Sequence, residues 1–259
     1  MPQKEAVFDL TRVSPQAFLK LHSAHRNIVR VKISSGLKEN IFLIRKNVWA
    51  RPQIVIDIYA RSDSAFFKIF KTFRHTIIDS LVLSDQKNYI TAFSKTRSPE
   101  AQKALKQKGF TLDVPRGYHL KVNKDKFVWI EQNTAAVVQG ILVFVFDKAG
   151  SCHDKNLLLQ QLDSALKMHI PGPVNGSFMQ TDRIYPPVWS DSLSTEKVLL
   201  EVRGLWSTKG YAMGGPYVAR IFYDKKKEQK LVLFGFVYAP GQTKRNYLRQ
   251  IEAILSTIL

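Results

Sequence analysis

Apolar residues recur at every second position over 27–33 (NIVRVKI), 40–47 (NIFLIRKN) and 53–60 (QIVIDIYA). Period two predicts strands with one face turned to a core. The period then changes. Phe66, Phe70, Phe73, Ile77 and Leu81 fall three or four apart, which predicts a helix, and a second helical stretch follows over 85–96. Upstream, SPQAFLKLHSAHR (14–26) opens with Ser then Pro and puts Phe18, Leu21 and His25 on one face, the pattern of a capped helix. SPEAQKALKQKG (98–109) has the same Ser-Pro start and a Gly stop.

Strand patterns return around 118–122, 127–133 and 137–147. DKNLLLQQLDSALKMHI (154–170) is amphipathic and ends at PGP; the Pro- and Gly-rich stretch 171–187 reads as a loop. Strands fit 197–206, 216–224 and 230–239. The chain closes with a helix that turns Tyr247, Ile251, Ile254 and Ile258 inward. Helices over mainly antiparallel sheet make the class α+β, with helices packed on one face. Trp49, Trp129 and Trp206 each precede an apolar strand and then a helix. That weak echo suggests two similar α+β halves, 1–112 and 113–259, or one continuous domain.

Composition bounds the partners. Of 259 residues 45% are hydrophobic, enough for a sizeable core. The net charge is +18, with 25 basic against 12 acidic residues in 1–150, scattered rather than in blocks. Scattered charge of this kind is the ordinary solvated surface of a basic protein. The densest run, DKKKEQK (224–230), lies between two strand patterns and reads as a hairpin turn. A single cysteine, Cys152, excludes an internal disulfide framework and reads as a free structural thiol. GILVFVF (140–146) and LVLFGFVYA (231–239) are too short to span a bilayer and read as buried strands.

Motifs for chemistry are few. STKGYAMGG lacks the order of a nucleotide loop, and no G-x-S-x-G elbow or Cys-x-x-Cys occurs. His22 and His25 are three apart, but no Cys or acid lies near them, so partly buried histidines are the simpler reading than metal ligands. No nucleic-acid signature is present, so the aromatic strands read as core rather than as a base-stacking sheet; a basic nucleic-acid binder stays as an alternative that the net charge alone supports. No cofactor is expected, no catalytic residue is assigned, and an enzyme would need a site assembled from distant segments.

One block stands apart. RGLW (203–206), then MGGPYV (213–218), then GFVYAP and KRNYLRQIEAIL resemble the C-terminal region of the domain-of-unknown-function 4837 family. FDLTRVSPQAF, HRNIV, NVWARPQIVI, VPRGYHL, FVWIEQNT, QGILVF and PGPVNGSFM follow the family's order along the chain. The resemblance implies a Bacteroidetes envelope protein of unknown function, lipid-anchored and periplasm-facing in its full-length form. Members of that family carry a lipoprotein signal and a further segment before the position where this sequence starts. Without such a signal the chain alone reads as soluble. The implied role is a non-catalytic binding or structural module for an envelope component or protein.

Two readings of the block remain open. In one, Gly214 and Gly215 permit φ > 0 or close backbone approach at a kink or bulge, covered by Trp206, and Arg203 bonds turn carbonyls. In the other, Arg203, Trp206, Gly214 and Gly215 form one wall of a groove in which Arg takes an anionic group and Trp stacks.

Overall fold

A computed structural model describes residues 5–18, 20–147, 154–191, 200–224 and 229–259. They form two compact units. One is Phe8–Tyr89. The other is Ile90–Leu259 with the described residues before Phe8.

In the smaller unit the three alternating segments become β1 (Asn27–Ile33), β2 (Ile41–Lys46) and β3 (Ile54–Ala60), in the order β1-β3-β2. β1 runs parallel to β3 and β2 antiparallel to it. The alternation does what period two requires: Ile54, Ile56 and Ile58 face one way. They meet Ile77 and Leu81 of a single long helix, Asp63–Ser94, which joins both helical stretches read from the sequence. Phe42 stacks on Phe73 of that helix at 4.1 Å. The helix expected over 14–26 is reduced to one turn, α1 (Lys20–Ser23), so the long helix is α2. Leu21 is exposed there, which removes the apolar face that would have lengthened the turn into a helix.

The larger unit holds α3 (Pro99–Lys106), β4 (His119–Lys124), β5 (Phe127–Asn133), β6 (Val138–Phe146) and α4 (Lys155–His169). There follow β7 (Phe178–Thr181), β8 (Val188–Asp191), β9 (Leu200–Lys209), β10 (Tyr211–Asp224), β11 (Gln229–Tyr238) and α5 (Arg245–Leu255). Its eight strands pair antiparallel in the order β4-β5-β6-β11-β10-β9-β7, with β8 also on β9. The class is α+β, as expected. Ser98 caps α3 by accepting from the Ala101 N–H, and Gly109 beyond it takes φ +85°. Asp154 caps α4 in the same way.

Continuous apolar runs such as GILVFVF must bury both faces of a strand. On β6, Ile141 and Val143 pack with α3 and α5. Leu142 and Phe144 pack on the other side with α4. The larger sheet is therefore helix-covered on both faces, the smaller by α2 on one. β7 lies within the stretch 171–187 read as loop and β8 just after it; both are four residues long, below the length at which alternation is visible.

α5 has no side-chain cap of its own at Lys244. Glu5 supplies one from the far end of the chain, accepting from the Lys244 N–H at 2.9 Å and the Arg245 N–H at 2.8 Å. A carboxylate at a helix start satisfies free donors and the helix dipole together.

The compact units divide at Tyr89 and Ile90, whereas the halves read from the sequence are 1–112 and 113–259. Ala101, Ala104 and Leu105 of α3, with Phe110 and Leu112, share one core with α5. The Thr111 and Leu259 backbones exchange hydrogen bonds at 3.2 Å. That burial ties 98–112 to the C-terminal helix. The echo of the three tryptophans carries no repeat either: Trp49 is exposed, Trp206 is buried, and the two sheets differ in topology.

Candidate functional site

The RGLW and MGGP segments lie side by side on β9 and β10, joined at Gly210, which takes φ +82°. The register shifts between Tyr211 and Gly214, an irregularity of the bulge kind. Gly215 then sits opposite Trp206. Trp206 is 3% exposed and donates its Nε1–H to the Val237 carbonyl at 3.2 Å. Its ring meets Phe236 edge-on at 5.5 Å. Neither Gly214 nor Gly215 has positive φ. Close approach explains them instead. A Cβ at Gly214 would stand 2.7 Å from the Trp206 carbonyl oxygen, and one at Gly215 2.0 Å from the Val237 carbonyl oxygen and 3.2 Å from the Trp206 Nε1.

Arg203 does not join them. Successive strand residues point to opposite faces. Trp206 points into the core beneath α4. Arg203 points to the α5 side, where its Nε donates to Glu201 at 2.8 Å and its Nη1 reaches Glu252 of α5. Burial pulls the Arg203 guanidinium down, but attraction to Glu252 and Glu201 outweighs it and leaves the group above its ordinary value. Hence Arg203 with Trp206, Gly214 and Gly215 do not make one wall of a groove. Trp206 and the glycines form a packed joint. Arg203 is a clamp between β9 and α5. Trp206→Phe is expected to cost about 1–2 kcal/mol, from the lost hydrogen bond and ring volume. Chemical denaturation reads it; an unchanged midpoint would remove the joint.

The described histidines, cysteines and acids hold no group of three placed to bind a metal. His22 and His25 stack at 6.4 Å. Cys152 and residues 225–228 of the DKKKEQK run lie outside the described residues, although Asp224 and Gln229 of that run pair in register, as a hairpin requires.

A second cluster, which sequence reasoning missed, occupies the face of the smaller sheet away from α2. Asp57 on β3 is 2% exposed. Arg30 of β1 donates its Nε–H to Asp57 Oδ1 at 2.5 Å, and Arg45 of β2 donates to Oδ2 at 2.7 Å. Arg30 also bonds the Tyr59 hydroxyl at 2.6 Å and lies over the exposed ring of Trp49 at 5.4 Å. The hydrogen bond that Arg30 donates to Asp57 holds its guanidinium above the ordinary value, against the opposing effect of burial. Two guanidiniums share one carboxylate, so the cluster carries net positive charge. Asp57 is an anchor for the arginines and has no free oxygen edge with which to act as a base. The signal was present in IVIDIYA: an acid in the middle of an apolar strand needs partners, and NIVRVKI offers cations at alternate positions.

The opposite side of β1 is apolar. Val29, Val31 and Ile33 pair in register with Ile56, Ile58 and Ala60, on the α2 face. They nonetheless remain 43%, 50% and 42% exposed. α2 leaves Phe67, Phe70 and Ile78 exposed as well.

Residues 98–257 match the family described as Domain of unknown function (DUF4837). Residues 1–94 match a second, Domain of unknown function (DUF8532). The two matches meet at the end of α2, close to the division between the compact units. No curated protein matches the chain. Among solved structures, the Ran-binding protein Mog1p of Saccharomyces cerevisiae aligns with TM-score 0.39 and 8% identity over 58% of this chain and 89% of its own. LpqN, described as involved in cell envelope biogenesis of Mycobacterium tuberculosis, aligns with TM-score 0.32 and 15% identity over 57% and 81%. Likeness at that level carries no functional inference. With its model matched over 98–257, from the cap of α3 through α5, the chain belongs to the DUF4837 family, a domain of unknown function.

Proposed function

We propose that the chain is a non-catalytic binding module of the cell envelope that holds a protein partner through its smaller unit. One observation carries the reading. Val29, Val31 and Ile33 stand half-exposed in a row on β1. Isolated exposed apolar residues are ordinary, but an aligned row of them on one strand face marks an interaction surface. In the larger unit, by contrast, Phe127, Phe144, Trp206, Tyr217, Phe234 and Phe236 are spent on the internal core. Placement in the envelope rests on the family resemblance of the sequence. No helix among the described residues is long and apolar enough to cross a membrane.

The test uses the full chain in cells of the source organism. A photo-crosslinking residue replaces Phe67 on the smaller unit or Tyr211 on the larger, both exposed. A discrete adduct in the envelope fraction is expected from position 67. Absence of any adduct at either position would overturn the module reading. An adduct from 211 alone would overturn its assignment to the smaller unit.

A further inference from the structure

We propose that β1 is a docking edge for an extended segment of a partner protein in which apolar residues alternate with acidic ones. The inference rests on the binding-module reading and names the chemistry of its partner.

β1 pairs with β3 along its whole length, Asn27 to Ile33, without a break in register. Among the described residues no strand pairs with its other edge. Natural sheets blunt such edges with a proline, a bulge, a very short strand or charged side chains, lysine above all. β1 is seven residues long, regular and free of proline; its one such device is the charge of Arg30 and Lys32, which repels a basic or identical strand and admits an acidic one. An edge of this kind can extend the sheet by one strand. Backbone hydrogen bonds then give affinity, and alternate side chains give specificity.

The two faces of β1 specify what that strand must carry. On the α2 face, Val29, Val31 and Ile33 call for β-branched or other apolar neighbours. On the other face lie Arg30 and Lys32, in register with Asp57 and Tyr59. Arg30 shares its one carboxylate with Arg45. Lys32 is exposed and has no ion pair among the described residues. Residues 8–89 hold 14 basic against 6 acidic residues, so the background is positive too. Glutamate or aspartate at alternate positions meets these cations directly across the new strand pair.

The same charges argue against a second copy of this chain. Antiparallel self-pairing of β1 centred on Val31 would set Arg30 beside Lys32 of the other copy, twice, on one face. Like charges directly opposite on neighbouring strands are destabilising.

The probe is a synthetic heptapeptide of alternating valine and glutamate, titrated into the isotope-labelled full chain and followed by amide shifts and hydrogen exchange. Shifts are expected at residues 27–33 and their neighbours, with slowed exchange on β1. A valine–lysine peptide should bind about tenfold or more weakly. Val31→Lys should weaken the valine–glutamate peptide by a similar factor. Lys32→Glu should narrow or invert the preference between the two peptides. Both positions are exposed, so thermal unfolding should stay unchanged and report that the fold is intact. Equal binding of the two peptides, shifts away from β1, or indifference to both substitutions would overturn the proposal. So would a concentration-dependent dimer abolished by Val31→Lys, which would give the edge to a second copy. If the position-67 adduct forms while the peptide fails, strand docking falls and the module reading stands. If neither appears, both fall.

Discussion

Gly215→Ala is expected to destabilise the chain by upwards of ~3 kcal/mol, more than overpacking usually costs. The reason is the atom that the new methyl group would meet. The nearest contact is the Val237 carbonyl oxygen at 2.0 Å, a backbone atom that no rotamer change can move. The next is the Trp206 Nε1 at 3.2 Å, which itself donates to that same carbonyl. Glycine, indole and carbonyl thus occupy one close-packed point where β9, β10 and β11 meet. Relief would require β11 to withdraw, but β11 is held by β10 on one side and by β6 on the other. Val237 is fully buried between them. Gly36→Ala is the control. Its nearest neighbour is the Ser34 Oγ at 3.8 Å, an ordinary contact, so its cost should stay within about 0.5 kcal/mol. The difference in denaturation midpoint at unchanged slope decides the matter. Equal midpoints would show that the glycine pair leaves free space after all.

Much of this architecture is written in local periodicity. β1, β2, β3, β5 and β6 follow from period two or from short apolar runs. α3, α4 and α5 follow from caps and from helical spacing, down to Ile251 and Ile254 at the centre of the core. What is not local is not legible. β7 exists because it can pair with β9, and its four residues carry no pattern of their own. Glu5 caps α5 across 239 residues of sequence separation, and nothing near Glu5 announces it.

The RGLW and MGGP block shows the same limit from the other side. Its residue types were right for a recognition groove. The neighbourhood of Trp206 and the glycines could be read from a hairpin between two strands. The fate of Arg203 could not, because it depends on strand parity: three residues from Trp206, it must face the other way. The Asp57 cluster is the reverse case. Its members come from three strands and a loop, and only the sheet order β1-β3-β2 places both arginines on the same acid. A buried acid in an apolar strand promises a partner, but sequence does not say which cation arrives.

Glu201→Ala should have the other large effect, about 3–5 kcal/mol, the cost of removing one partner from a buried ion pair. Glu201 and Arg220 are cross-strand neighbours in β9 and β10, exposed to only 3% and 6%. Arg220 donates its Nε–H to Glu201 Oε2 at 2.9 Å, while Arg203 takes Oε1 at 2.8 Å. Deleting the carboxylate leaves Arg220 charged, since a guanidinium does not give up its proton in a protein, and it has no water to turn to. Arg203→Ala should be far milder, within about 1 kcal/mol, because its side chain is 43% exposed and Glu252 can be solvated in its place. The contrast separates a buried pair from a surface clamp built on the same acid. A further variant fixes the cause. Glu201→Leu combined with Arg220→Met should recover most of the loss, as a buried pair replaced by apolar residues of like volume commonly does. Urea denaturation of the three variants beside the parent chain measures each step. If Glu201→Ala costs no more than Arg203→Ala, or if the apolar pair is as damaged as the single deletion, then the unpaired Arg220 charge is not what destabilises this sheet.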